Sequence, residues 1–271
     1  MNIKPLGGPS YGSIPHLPGS RLGPGDHHCH QGQADICTVK TRDKKDTVIV
    51  QEKLDGSNVG VAKIGGEIVA LTRAGYLAST SPYKQHHYFS AWVERNAYRF
   101  KNLLNEGERI CGEWMLQAHG TRYRLWGDPF VAFDLITPRG RLTYNDLYAR
   151  IGDVLKTPAL LHEENYAVDL THAIWLLQNY GIREGPYRAE IGTIGGHGAL
   201  EQPEGVVYRV ERDGKVDFLA KYVRPDKVDG AYLGVDSHGN ELTVWNEGTE
   251  EIRNALDYQI KAAQRRVQES G

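Results

Sequence analysis

Gln51-Glu52-Lys53-Leu54-Asp55-Gly56-Ser57-Asn58 decides how this chain is read. A strand runs into it, with Val48, Ile49 and Val50 at its centre, and a hairpin runs out of it. The strand is expected over residues 47–53, and Asp55-Gly56 then turns the chain sharply. A lysine at the end of a buried strand is well placed for nucleophilic work. Burial and neighbouring cations disfavour an ammonium ion, lower its pKa and expose a lone pair. In isolation so short a pattern recurs by chance, and the same lysine can simply reach solvent, so its surroundings have to decide.

The hairpin after it spans 58–64 and 67–73 around Gly65-Gly66, a two-residue turn suited to positive φ. Counting outward from a tight turn sets Asn58 opposite Arg73, with Cβ atoms roughly 5 Å apart. Such a pair at the open end of a hairpin suits a phosphate or a ribose, or is a solvated polar pair. A second hairpin is expected over 205–211 and 215–222 around Asp213-Gly214. Its first strand alternates, with Val206, Tyr208 and Val210 on one face and Arg209 and Glu211 on the other. The same count sets Leu219 opposite Tyr208 and Lys221 opposite Val206, with Glu204 on the diagonal roughly 7–8 Å away. A bulge in either hairpin would break its register.

Between and beyond the hairpins the pattern predicts helices over 83–105, from a Thr143–Asp146 cap to about Lys156, over 169–180 stopping at Gly181, and over 249–267 on the surface. Strands are expected over 108–114 and 129–136. Residues 1–46 read as an irregular arm rich in Gly and Pro, ending in Arg42-Asp43-Lys44-Lys45-Asp46. Residues 47–230 read as the catalytic domain, and 231–271 as an extension carrying the last helix. Antiparallel hairpins with segregated helices indicate an α+β fold.

Composition constrains less. The 271 residues are 40% hydrophobic and 24% charged, which is ordinary for a globular protein. No apolar run approaches the roughly 20 residues that span a bilayer. Three cysteines make no disulfide framework, which favours a reducing cytoplasm. A net charge of −2 gives no overall basic surface, so any nucleic acid must be held by a local stripe. Asp26-His27-His28-Cys29-His30, with Cys37 beyond, matches no standard zinc ligand spacing and is read as a polar arm. Arg253, Lys261, Arg265 and Arg266 are read as a solvated helix face.

As a set, these segments resemble the covalent nucleotidyltransferases: DNA ligases, RNA ligases and mRNA capping guanylyltransferases. Lys53-Leu54-Asp55-Gly56 is similar to their motif I, and the longer form from Glu52 to Asn58 looks most like the RNA ligase branch typified by the phage T4 type 2 enzyme. Arg73, Gly112-Glu113-Trp114, Phe133-Asp134-Leu135-Ile136, Glu204-Gly205-Val206-Val207 and Phe218-Leu219-Ala220-Lys221-Tyr222 follow in the family's order. The resemblance implies an antiparallel-sheet adenylation domain. It implies Lys53 as the nucleophile on ATP, with Glu52 and Leu54 beside it reading the adenine edge. Phe133 would stack on the base and Glu113 would hold the ribose, with Asn58 and Arg73 near sugar and phosphate. Glu204 would bind Mg²⁺ or Mn²⁺, and Lys221 would stabilise the α-phosphate.

Motif V usually carries two lysines one residue apart. Here only Lys221 stands in that frame, with Leu219 before it, and Arg224 or Lys227 is the candidate replacement. The implied reaction forms lysyl-AMP, passes AMP to a 5′-phosphate end and seals that end with a 3′-hydroxyl. The expected partners are RNA ends, with DNA as the alternative, and a monomer is expected. The stretch after Arg224 is too short for an added OB-fold domain. That weighs against a GTP-using capping enzyme and a conventional DNA ligase. A non-catalytic binding protein on the same fold would have no need of Lys53.

Overall fold

The computed structural model describes residues 4–8, 10–180, 193–235 and 241–269. Two antiparallel sheets face each other across a cleft, and each covers its outer face with helices. The first sheet is built on β1 (Asp46–Lys53), flanked by β7 (Leu160–Glu164) and β8 (Gly205–Arg212), with β9 (Lys215–Val223) at the edge. Val48 and Val50 of β1 are fully buried with Val206, Tyr208 and Val210 of β8. The second sheet has the order β3 (Glu67–Thr72), β2 (Ser57–Ile64), β4 (Arg109–Trp114), β5 (Phe130–Thr137), β6 (Gly140–Arg141). A short pair, β10 (Leu233–Val235) and β11 (Glu241–Thr243), forms a third sheet.

The expected helix over 83–105 is two, α2 (Lys84–Arg95) and α3 (Ala97–Lys101). The break falls at Asn96, whose side-chain amide donates to Trp92 O at 2.8 Å and competes with the helix ladder. Phe89 and Trp92 of α2 and Phe100 of α3 pack with Trp114 and Phe130 beneath them, so this aromatic set is core. Helix α4 (Tyr144–Ile151) starts at Thr143, whose hydroxyl accepts from the Asp146 N–H at 3.2 Å. It ends short of Lys156 because Gly152 takes a φ of 48°. Helix α5 (Leu170–Gln178) is capped by Asp169, and Gly181 lies outside the described residues. The last helix, α6 (Glu250–Glu269), is more than a surface element. Leu256 is buried in the same core as α2, and Ile252 and Ile260 pack beside it.

The described part of residues 1–46 is irregular apart from one helix, and it packs on the first sheet. That helix is α1 (Gln31–Thr38), and Leu17, Cys29, Ala34 and Cys37 are buried against the first sheet. Composition hid this, because the segment is ordered by what it packs on rather than by a periodic pattern of its own.

The two hairpins settle their registers differently. Gly65 and Gly66 both take positive φ, and the pairs run without a shift from Ile64–Glu67 to Val59–Thr72. Asn58 and Arg73 lie one step past the last pair, as the count requires. The β8–β9 hairpin carries a bulge at Asp217, so the count fails by one residue. Leu219 pairs with Arg209 and Lys221 with Val207, not with Tyr208 and Val206. This slip turns Leu219 and Lys221 away from the core and into the cleft.

Gly205 pairs with Lys53 at the point where β8 leaves the cleft. A Cβ there would stand 1.9 Å from the carbonyl oxygen of Tyr222. Gly205→Ala is therefore expected to destabilise the fold by about 2–3 kcal/mol, because two paired strands must separate. Urea unfolding of the purified variant checks this, and a midpoint equal to the wild type would show that the strands yield freely.

Candidate active site

The cleft between the sheets has a volume of about 690 Å³. Lys53, Glu113, Asn58, Arg73, Phe133, Glu204 and Lys221 all line it, together with Lys227 and Tyr11. Strand alternation explains the first of these. Gln51 and Lys53 leave β1 on the cleft face, whereas Val48 and Val50 enter the core.

Lys53 Nζ donates to Glu204 Oε2. Burial acts to lower the Lys53 pKa, but the carboxylates of Glu204 and Glu113 outweigh it and raise the pKa. The expected depression is thus overturned. Two acids face this amine, and the other cations of the cleft do not offset them. Glu204 is held from its other side by Lys227, whose Nζ lies 2.7 Å from Oε1. Lys227 Nζ also lies 2.8 Å from Asp55 Oδ1, and its side chain is only 2% exposed. Asp55 Oδ2 accepts the Gly120 N–H at 2.8 Å, and the Asp55 N–H donates to the Tyr123 hydroxyl at 3.2 Å. The turn after Lys53 is therefore pinned to the same ion network that orients Glu204. Arg224 pairs with its neighbour Asp226 instead, and of the two candidates Lys227 lines the cleft.

Glu113 sits opposite Asn58 in the β2–β4 ladder and accepts the Gly56 N–H at 3.0 Å. Burial pushes its carboxyl up to about 8, with Lys53 opposing and Glu204 adding to the rise. A carboxyl with a raised folded-state pKa stabilises the fold at low pH, and that contribution is lost as pH rises towards 8. Glu113→Gln should therefore lose less melting temperature than the wild type between pH 6 and 8.5. Parallel melting curves over that range would refute the assignment. Asn58 Oδ1 is buried and lacks a hydrogen-bond partner among the described residues, a group left over for a ligand.

Phe133 reaches the cleft through a second irregularity. The β4–β5 ladder shifts between Cys111 and Gly112, and Phe133 is the extra residue. Its ring meets Tyr11 at 5.5 Å between centroids. Beside it, Asp134 is buried with Arg209, receives the Tyr11 hydroxyl at 2.6 Å and pairs with Arg141 at 3.1 Å. The Arg73 guanidinium donates to the carbonyls of Tyr11 at 3.2 Å and Gly12 at 3.3 Å. The N-terminal segment is thus a wall of the site.

Glu52 and Leu54 also border the cleft. The Gly196 N–H donates to Glu52 Oε2 at 2.8 Å. Leu54 buries its side chain with Met115, Tyr123 and Leu125.

The sequence profile of the RNA ligase family matches residues 46–223, well over half of the chain. This chain belongs to the RNA ligase family. The fold is the α+β, antiparallel-sheet arrangement of a ligase adenylation domain. No curated protein matches the chain. Among solved structures, an archaeal ATP-dependent RNA ligase is 21% identical, with a TM-score of 0.40, covering 66% of this chain and 43% of its own. A Naegleria gruberi RNA ligase with PPi is 20% identical, with a TM-score of 0.45, covering 66% of this chain and 50% of its own. This RNA ligase family chain thus spans about half the length of these two proteins. Among its described residues, no helix is long and apolar enough to cross a membrane.

Within the family site, Tyr11, Gln51 and His86 carried no sequence signal. His86 lies 2.6 Å from Ser81 Oγ and 3.1 Å from Ser57 Oγ, and burial pushes its pKa down to about 4. It is a neutral brace for the segment after Gly56.

Proposed function

We propose that this protein is an ATP-dependent RNA ligase that joins 5′-phosphate and 3′-hydroxyl ends through a lysyl-AMP on Lys53. The observation that carries the reading is the Lys53 amine at a strand end inside the cleft between the sheets. It is oriented by Glu204 and flanked by Lys221 and Lys227. In the first step an Nζ–Pα bond forms, the bond to the β-phosphate oxygen breaks, and pyrophosphate leaves. The amine gives up a proton on the way, and Glu204 Oε2 is its nearest acceptor. Lys221 and Lys227 offset charge on the phosphates, which is where preorganised cations act best. Glu204 offers a hard oxygen donor beside the phosphates that suits Mg²⁺ or Mn²⁺. When bound, such an ion would neutralise phosphate charge.

Phe133, Val207 and Leu219 line the cleft and offer apolar surface to the base. Gln51 Nε2 donates to Pro158 O at 3.3 Å, which leaves Oε1 as an acceptor for a polar edge of the base. Incubation with α-labelled ATP or GTP and a divalent metal, followed by denaturing gels, tests the reading. Label from GTP alone, or from neither, would overturn it. Sealing trials on RNA and DNA ends then identify the acceptor.

Phe133→Ala is expected to weaken ATP binding roughly tenfold, in line with an aromatic contact of about 1–1.5 kcal/mol. Calorimetric titration measures this directly. Unchanged affinity would place the base elsewhere.

A further inference from the structure

Strand β9 is the edge of its sheet, and residues 15–21 cover that edge. The Lys221 N–H donates to Pro15 O at 2.9 Å, the Leu17 N–H to Lys221 O at 2.8 Å and the Arg21 N–H to Val223 O at 3.0 Å. Covering an edge in this way blocks pairing with another chain. This cover does more, because it carries a linked set of side chains that ends at the Lys221 ammonium.

The Val223 N–H donates to Ser20 Oγ at 2.9 Å. Ser20 Oγ lies 2.6 Å from Nδ1 of His16, a side chain almost wholly buried. His16 Nε2 lies 3.1 Å from Asp26 Oδ2, and Asp26 Oδ1 lies 3.5 Å from Lys221 Nζ. The protons can be placed. Nε2 stands beside the carboxylate at ion-pair distance without the geometry of a hydrogen bond, and a hydrogen on it avoids lone-pair repulsion. Nδ1 is then an acceptor, and the Ser20 hydroxyl donates to it. Asp26 is fixed further by the Gly23 N–H at 3.1 Å and the Ser13 hydroxyl at 3.3 Å.

We propose that Asp26, backed by His16 and Ser20, is a positioning residue that holds the Lys221 ammonium in the cleft. This rests on the reading of Lys221 as the cation on the α-phosphate. Lys221 needs such a holder. The position two residues before it on β9 is Leu219, so no second lysine stands beside it on the strand. Its side chain has four rotatable bonds, and burial and the Lys53 charge both disfavour its charged form, whereas Asp26 favours it. A fixed carboxylate narrows the choice of rotamers and keeps the charge in place.

The test is the single-turnover rate of lysyl-AMP formation with α-labelled ATP and Mg²⁺, measured with ATP affinity and melting temperature. Asp26→Asn should slow the step about tenfold with little change in affinity, as expected for loss of a charge-assisted contact. His16→Ala should slow it less. His16→Gln, whose amide can place an N–H where Nε2–H stands, should recover most of the loss. In a Lys221→Ala background, Asp26→Asn should add nothing, because the group it positions is gone. A purely structural role would lower the melting temperature and slow both backgrounds by the same factor, and that result overturns the proposal. So does a wild-type rate in Asp26→Asn. If the wild-type protein takes no label, the reading of Lys221 fails first and the inference falls with it.

Discussion

Lys53→Ala is expected to take no label from α-labelled ATP, a loss of at least about 10³-fold in the rate of nucleotide transfer. No other amine in the cleft is placed to substitute. Lys227 is locked between Glu204 and Asp55 with its side chain 2% exposed. Lys221 is engaged by Asp26, with Nζ 3.5 Å from Oδ1. Lys53→Arg should fail as completely, since a guanidinium keeps its proton and is a poor nucleophile. The wild-type rate should rise with pH, because Glu204 and Glu113 hold the Lys53 amine in its ammonium form and only the free amine attacks. Mass spectrometry of the labelled wild type should locate the added AMP on the peptide containing Lys53. Labelling of Lys53→Ala at the wild-type rate would remove the proposed chemistry altogether.

What the sequence disclosed about this site depended on whether a strand was regular. Gly65-Gly66 makes a clean turn, so Asn58 and Arg73 could be placed by counting, and Asn58 then meets Glu113 on its other side. Asp213-Gly214 turns just as tightly, but Asp217 bulges out and binds Arg42 at 2.6 Å. That partner lies far away in the sequence, so no local pattern announces the bulge. Yet without it Lys221 would share a face with the buried Ala220 neighbours Val206 and Tyr208, and the cleft would lose a cation. Phe133 depends on a bulge in the same way. The residues that line the cleft were recognisable as a set, whereas two of the backbone irregularities that aim them were not. The N-terminal segment was illegible for another reason. Its order comes from hydrogen bonds to the β9 edge and from Tyr11 reaching Asp134, both of which are long-range.

Removal of Lys227 should be the most costly change outside Lys53. Sequence order alone left Arg224 and Lys227 as equal candidates. The structure separates them, since Arg224 spends its charge on Asp226 while Lys227 joins Glu204 Oε1 and Asp55 Oδ1 at 2.7 and 2.8 Å. Lys227→Met keeps the buried methylenes and deletes the charge. Two carboxylates then face each other with one cation, Lys53, left on the far oxygen of Glu204. Breaking a buried ion pair from one side costs about 3–5 kcal/mol, because the partner charge stays buried. The expected result is a marked fall in unfolding midpoint together with a loss of lysyl-AMP formation of about 100-fold, as Glu204 and the Asp55 turn both lose their anchor. Lys227→Arg should recover part of the stability and less of the rate, since a planar fork cannot reproduce a point charge between two carboxylates. Arg224→Ala should leave both within about twofold, its partner being a solvent-exposed Asp226. Denaturant titration and single-turnover labelling on the three variants read stability and rate separately. A Lys227→Met protein that labels as fast as the wild type would show that Lys221 alone serves the phosphates, and that the Lys227 network only braces the fold.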